Sequence, residues 1–291
     1  MLDLISKRFW IVIAVTLVTL AGLSLAYWRI ESRSQVLLDE RQAAAPTAVV
    51  AATTPAAVAL GGHLVAVTAC AGCHGPNLTG GPLNVAGTQI ETPNLTIEAH
   101  RLTDAQIDRA LRQGLRPDGA SELIMPAQAY ARFTDGEVAA IIGYLRSLPA
   151  KGAPSPAPRP GLILRASLLI GSVKTARRQL AAARPPLDAG PRVETGRHLA
   201  AVACGRCHGA DLGGIRDQGP DLTVRTYYDR AKFQALIGKG EAIGEGNMQL
   251  MTDTAEASFS HFTPAEIDSI YDYLDARDGV LIARARLKNR S

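Results

Sequence analysis

The sequence predicts an all-α protein in which two tandem helical units follow an N-terminal membrane helix. Three observations carry that expectation. An uncharged run of twenty residues, Phe9 to Trp28, lies near the start of the chain. A block of motifs then occurs twice in the same order. Aromatic residues are only 5% of the chain and alanine is abundant, which favours small helical units over sheets. No segment alternates over enough residues to require a sheet, and 291 residues allow about two domains.

The apolar run is long enough to cross a hydrocarbon core of about 30 Å. Lys7 and Arg8 precede it, and Trp10, Tyr27 and Trp28 stand where aromatic side chains line the two membrane interfaces. The competing reading is a signal peptide cleaved near Ser24-Leu25-Ala26. The apolar stretch of a signal is usually about 7–15 residues, so the length favours a retained anchor over residues 1–30. Arg29 and Arg33 nearly balance Lys7 and Arg8, so charge fixes the orientation only weakly. Residues 31–58 become rich in Ala, Thr and Pro and read as a tether.

The repeated units are expected over residues 59–150 and 193–278. Cys70-Ala71-Gly72-Cys73-His74 and Cys204-Gly205-Arg206-Cys207-His208 use all four cysteines of the chain. Around them, Gly62-His63-Leu64 matches Arg197-His198-Leu199, and Leu78-Thr79-Gly80-Gly81 matches Leu212-Gly213-Gly214. Pro93-Asn94-Leu95-Thr96 matches Pro220-Asp221-Leu222-Thr223. The last helix of each unit should start at a capping box, Thr134 with Glu137 and Thr263 with Glu266. Val138, Ile141, Ile142 and Leu145 follow at helical spacing, as do Ile267, Ile270, Tyr271 and Leu274.

In C-x-x-C-H, two thiols two residues apart can reach the two vinyl groups of one porphyrin, and the next residue presents its imidazole to the iron. A structural zinc site would join two C-x-x-C pairs across a short spacer, but here the pairs lie more than a hundred residues apart. A thioredoxin-like pair needs a βαβ context, and a disulfide would leave both histidines unexplained. Two covalently bound haem c groups are therefore expected, through Cys70, Cys73 and His74 and through Cys204, Cys207 and His208.

Methionine opposite the histidine would suit electron transfer. Met125, in Leu123-Ile124-Met125-Pro126, is the only methionine of its unit. In the second unit Met251 is preferred over Met248. It stands eight residues before Phe259, as Met125 stands eight before Phe133. His63 and His198 are expected at haem edges or on the surface, and His100 and His261 in solvent.

Residues 151–192 form a Pro-rich linker of formal charge +7, against −6 for residues 193–278. Leu162, Ala166, Leu169, Val173, Ala176 and Leu180 recur at helical steps, so one amphipathic helix is expected there. It either packs between the domains or lies on an anionic membrane surface or a partner. Residues 279–291 form a basic tail.

Taken together, these motifs resemble the class I c-type cytochromes, and their order resembles membrane-anchored dihaem cytochromes c. Leu115-Arg116-Pro117-Asp118-Gly119, Met125-Pro126 and Tyr144-Leu145-Arg146-Ser147-Leu148-Pro149 look like cytochrome subunits of bacterial periplasmic dehydrogenases, which often carry three haems. The resemblance implies two class I cytochrome c domains, each wrapping one haem. It implies that the carbonyls of Pro93 and Pro220 accept from the ligating histidines. It also implies a single-pass protein of the bacterial inner membrane with its haem domains in the periplasm. On this reading the chain is an electron carrier without substrate chemistry, exchanging electrons with an oxidase, a dehydrogenase or a soluble cytochrome, and with no nucleic-acid partner. A dihaem peroxidase is the enzymatic rival, and needs one haem with an open site.

Overall fold

The computed structural model describes residues 2–216, 218–223, 227–243 and 248–288. The long helix α1 (Leu2–Asp39) contains the apolar run, and none of that window is buried against the rest of the protein. It is the one helix among the described residues long and apolar enough to cross a bilayer.

The segment expected to be a tether is instead ordered along the first unit. α1 continues through residues 31–39, and the next fourteen residues run extended over the domain. There Gln42 N donates to Gly119 O (3.0 Å), Ala52 N donates to Ala139 O (2.9 Å), and Val49 is buried. Thr54 then caps α2 (Pro55–Val67) by accepting from Ala57 N, with Pro55 at the first helical position.

The first unit continues through α3 (Ala71–His74), a hairpin of β1 (Gly81–Val85) and β2 (Thr88–Thr92), α4 (Leu95–Arg101), α5 (Asp104–Asp108), α6 (Ala127–Tyr130) and α7 (Asp135–Ser147). The second contains α10 (Glu194–Ala203), α11 (Gly205–His208), α12 (Arg230–Lys239), α13 (Gln249–Ala257) and α14 (Pro264–Lys288). Between them lie α8 (Leu162–Ile170) and α9 (Ala176–Ala182). Both expected capping boxes are formed, with Glu137 and Glu266 accepting from the backbone N–H of Thr134 and Thr263.

Each unit is organised by a close crossing of its first and last helices. α2 approaches α7 at Gly61, where a Cβ would fall 2.0 Å from the carbonyl oxygen of Ala140. α10 approaches α14 at Gly196, where a Cβ would fall 1.8 Å from the carbonyl oxygen of Ser269. Only glycine permits this contact, and it presses Tyr144 or Tyr273 against the crossing. Leu64, Val65, Val138, Ile141 and Ile142 fill the first core, and Leu199, Phe233, Ile267, Ile270 and Leu274 the second.

Two features depart from the sequence expectations. The hairpin pairs Gly81–Val85 antiparallel with Thr88–Thr92 through Ala86 and Gly87, both at positive φ (49° and 72°). That backbone matches the twist of a two-residue hairpin, but each strand has five residues, too few for a clear alternating signal. The linker holds two helices where one was expected. Gly171 takes a left-handed conformation (φ 77°) and ends α8, separating it from α9. Neither helix is inserted between the haem-motif domains: α8 packs on α1 and the hairpin, and α9 packs on α6.

The two units meet through an approximate two-fold exchange. Val67, the last residue of α2, is buried in the second core. Val202, its counterpart on α10, is buried in the first.

Candidate functional site

Each C-x-x-C-H motif forms a single helical turn directly after the first helix of its unit. The following loop is the same in both copies. Gly80 N donates to His74 O and Gly214 N to His208 O, both at 2.8 Å. Leu78 and Leu212 occupy left-handed backbone positions (φ 59° and 61°) with buried side chains. Such a conformation costs a leucine about 1–2 kcal/mol. Its recurrence therefore marks a loop shape that the surrounding structure imposes. The loop returns the chain under the histidine: Leu95 N donates to Leu78 O, and Leu222 N donates to Leu212 O.

The histidine rings are held in a defined tautomer. His74 Nδ1 donates to Pro93 O at 2.9 Å, and His208 Nδ1 donates to Pro220 O at 2.7 Å. With Nδ1–H engaged, the lone pair available to a metal is on Nε2. Burial lowers the pKa of both imidazoles, which favours the neutral form that can coordinate. None of the four cysteines is in a disulfide, and no three His, Cys, Asp or Glu side chains among the described residues form a metal-ion cluster. Two thiols and one oriented imidazole per unit are the donor set that a covalently attached haem requires, so these residues fit the group.

The residue after each proline is anchored to a distant part of the chain, at the start of the linker in the first unit and on the last helix in the second. Asn94 Nδ2 donates to Lys151 O (2.7 Å), while its Oδ1 caps α4 at Thr96 N. In the second unit the buried Arg277 of α14 donates to Asp221 Oδ1 (3.1 Å) and to Leu212 O (3.1 Å). Both arrangements fix the carbonyl that orients the histidine. The sequence showed the repeated Pro-Asn and Pro-Asp pairs but not their partners, which lie more than fifty residues away.

Met125 is partly buried against the first core, just before Pro126 and α6. Met248 and Met251 are both partly buried against the second core. Met248 is the N-cap of α13 and Met251 lies in its first turn, so a three-residue step places both along one side of the helix. His100 is exposed and hydrogen-bonds to Leu148 O, and His261 is exposed at a short 3₁₀ turn. His63 and His198 instead reach across the domain interface to Glu266 and Glu137.

The two motifs themselves meet at that interface. Gly205 packs on Ala129 of α6. Arg206 Nη1 donates to Ala69 O of the first unit at 3.1 Å, and its guanidinium faces Gly72. Of the two variable positions of the second motif, Arg206 thus faces the first motif at Gly72, and one cation stands between the two attachment sites. Nothing in the residue types at those positions signals this in the sequence. Tyr130 donates to Thr68 O (3.0 Å), and burial raises its pKa and keeps its hydroxyl protonated beside the same junction.

Comparison with known proteins agrees with this geometry. Residues 58–149 match the family described as Cytochrome c, and residues 191–274 match that described as Cytochrome C oxidase, cbb3-type, subunit III. The chain is similar to the fructose dehydrogenase cytochrome subunit of Gluconobacter japonicus, at 30% identity over 261 residues covering 73% of this chain and 51% of that protein. It is also similar to the cytochrome bc1 complex cytochrome c subunits of Mycobacterium leprae (31%, covering 41% of this chain and 39% of that one) and Mycobacterium bovis (34%, covering 30% and 29%). The chain therefore spans about half the length, or less, of these relatives. Two family matches in tandem, each over a domain built around a C-x-x-C-H turn with an oriented histidine, show that the chain carries two tandem cytochrome c domains.

Proposed function

We propose that the chain relays single electrons through two haem c groups that lie on either side of the Arg206–Ala69 contact. That contact, from the second attachment motif to the residue immediately before the first, is the observation that carries the reading. When bound, haem c supplies reversible one-electron chemistry at its iron.

The residues of the chain hold and tune that chemistry. Cys70 and Cys73, and Cys204 and Cys207, would form the thioethers. His74 and His208 would coordinate through Nε2 while Pro93 and Pro220 hold their rings. Met125 and Met251 would complete the two coordination spheres and leave no open site for a substrate. A closed pair of sites suits a carrier and disfavours a peroxidase.

One similarity, covering 73% of this chain, is to a dehydrogenase cytochrome subunit. We infer that a membrane-associated dehydrogenase is the electron donor and that an oxidase, a bc1-type complex or a soluble cytochrome is the acceptor. In this reading α1 anchors the protein in the inner membrane and the haem domains face the periplasm, where haem is attached.

Purification of the full chain from solubilised membranes, with its co-eluting proteins identified, tests the partner assignment. A redox titration then tests the relay itself. Two electrons per chain are expected, with no change in the Soret band on adding hydrogen peroxide to the oxidised protein. A high-spin haem that binds peroxide would favour the enzymatic reading.

A further inference from the structure

We propose that α8 is a second membrane contact: a short interfacial helix, fixed to α1, whose outer face lies in the headgroup–acyl boundary of the bilayer. This rests on the reading of α1 as the membrane-spanning helix.

α8 is apolar on two opposite sides. Leu164 and Leu168 are buried in a cluster with Ile90, Leu123 and, from α1, Leu37 and Leu38. At 100° per residue, Leu162, Ala166, Ile170 and Ile163 fall within one arc on the other side. That arc faces out: Leu162 is 43% exposed, Ile163 60% and Ile170 79%. The two polar residues of the helix, Arg165 and Ser167, flank the arc. Arg165 is already engaged by Ser34 Oγ (3.0 Å), Gln35 Oε1 (3.1 Å) and Pro160 O (3.1 Å). A helix that is hydrophobic all round belongs in a core or against lipid, and the protein covers only half of this one.

Its position says what covers the other half. Arg165 grips α1 at Ser34 and Gln35, six and seven residues beyond Trp28. At a rise of about 1.5 Å per residue this places the contact roughly 10 Å past the aromatic end of the apolar run. Such a level is about that of the headgroups, and a helix with side chains is about 10–12 Å across. α8 therefore stands at about the level of the membrane surface that α1 would enter, and interfacial helices bury their apolar face roughly 5–10 Å into that boundary. The linker sequence allowed either packing between domains or surface docking. The geometry assigns α8 to the surface.

The test uses the full haem-loaded chain in lipid nanodiscs, with a spin label at Ile163→Cys or Ile170→Cys. The haem cysteines are consumed as thioethers, so each variant carries one reactive thiol. Collision of the label with oxygen, which concentrates in lipid, is compared with collision with a water-soluble nickel chelate. Labels at Leu20→Cys in the apolar run and at Leu250→Cys, exposed on α13, are the references. Positions 163 and 170 are expected to favour oxygen severalfold over position 250. If they are as nickel-accessible as position 250 while position 20 is shielded, the interfacial helix is wrong and the anchor stands. If position 20 is itself nickel-accessible, the anchor reading fails and this proposal fails with it.

Discussion

His63 on α2 donates from Nε2 to Oε1 of Glu266 on α14, at 2.8 Å, and so joins the first domain to the second. The relationship is reciprocated: His198 Nε2 of the second domain donates to Glu137 Oε1 of the first at 2.7 Å. Each glutamate also closes its own capping box through Oε2. One carboxylate thus starts a helix and holds the neighbouring domain. The domain contact is built from the same repeat positions that build each domain.

Replacing Glu137 by Gln should keep the cap, because glutamine also serves at that position, yet weaken the link to His198. Each such change at Glu137 or Glu266 is expected to cost about 1 kcal/mol, since the pairs are partly solvent-exposed. The double variant should unfold in two calorimetric steps where the unaltered chain unfolds in one.

Acid should weaken the same contact. Burial alone would raise the carboxyl of Glu137, but the hydrogen bonds from His198 and Thr134 outweigh it and hold it below the ordinary 4.5. Glu266 is lowered in the same way, burial being outweighed by bonds from Thr263 and His63. A depressed folded-state pKa contributes stability that is present above the unfolded value near 4.5 and lost as pH falls through the folded value. Thermal melts between pH 6 and 3, at roughly half-unit steps, should show this loss, and the double Gln variant should show less of it.

Gly61→Ala and Gly196→Ala should each disrupt the helix crossing of one domain only. A new methyl group meets a backbone carbonyl and not a flexible side chain, so the helices must part. Overpacking of this kind costs about 1–3 kcal/mol or more. Chemical denaturation followed at the haem of each domain should show the transition of the altered domain moved to lower denaturant.

Removing the charge between the attachment motifs, as in Arg206→Gln, should lower the midpoint potential of one or both haems. A nearby cation disfavours the oxidised, more positive iron centre, and its loss reverses that effect. Spectroelectrochemical titration measures the shift. An unchanged pair of potentials would show that Arg206 serves only to pack the interface.

Much of this was legible in the sequence because the molecule repeats itself. The C-x-x-C-H turns, the capping boxes and the Pro93 and Pro220 pairing each occur twice, so two weak local signals supported one another. What was not legible lies where the repeats touch or differ. The partners of His63 and His198 are on the opposite domain, and no local pattern points across so long a separation. Among the described residues the hairpin occurs in the first unit only, with strands too short to alternate clearly. The break at Gly171 did have a signal, a glycine inside an apolar-periodic run, but the periodicity on either side obscured it. The extended segment before α2 has a linker-like composition, yet Val49 and the backbone at Ala52 find partners on the first domain.

The axial methionines can be separated by absorption near 695 nm, the weak band expected of methionine–iron bonds in oxidised c-type cytochromes. Met125→Ala and Met251→Ala should each remove about half of it, one of two equivalent centres. If Met251→Ala leaves the band whole and Met248→Ala halves it, the ligand is the residue that caps α13. If no single variant affects it, histidine ligation replaces methionine in both domains.

The central claim is that both motifs carry covalent haem in one chain. Intact-protein mass measurement under denaturing conditions, paired with a pyridine haemochrome assay against protein concentration, tests it most directly. Two haems per chain are expected, with one lost in a Cys204→Ser, Cys207→Ser double variant and the other unaffected. A single haem in the unaltered chain, or haem that leaves with acidified acetone, would contradict the account.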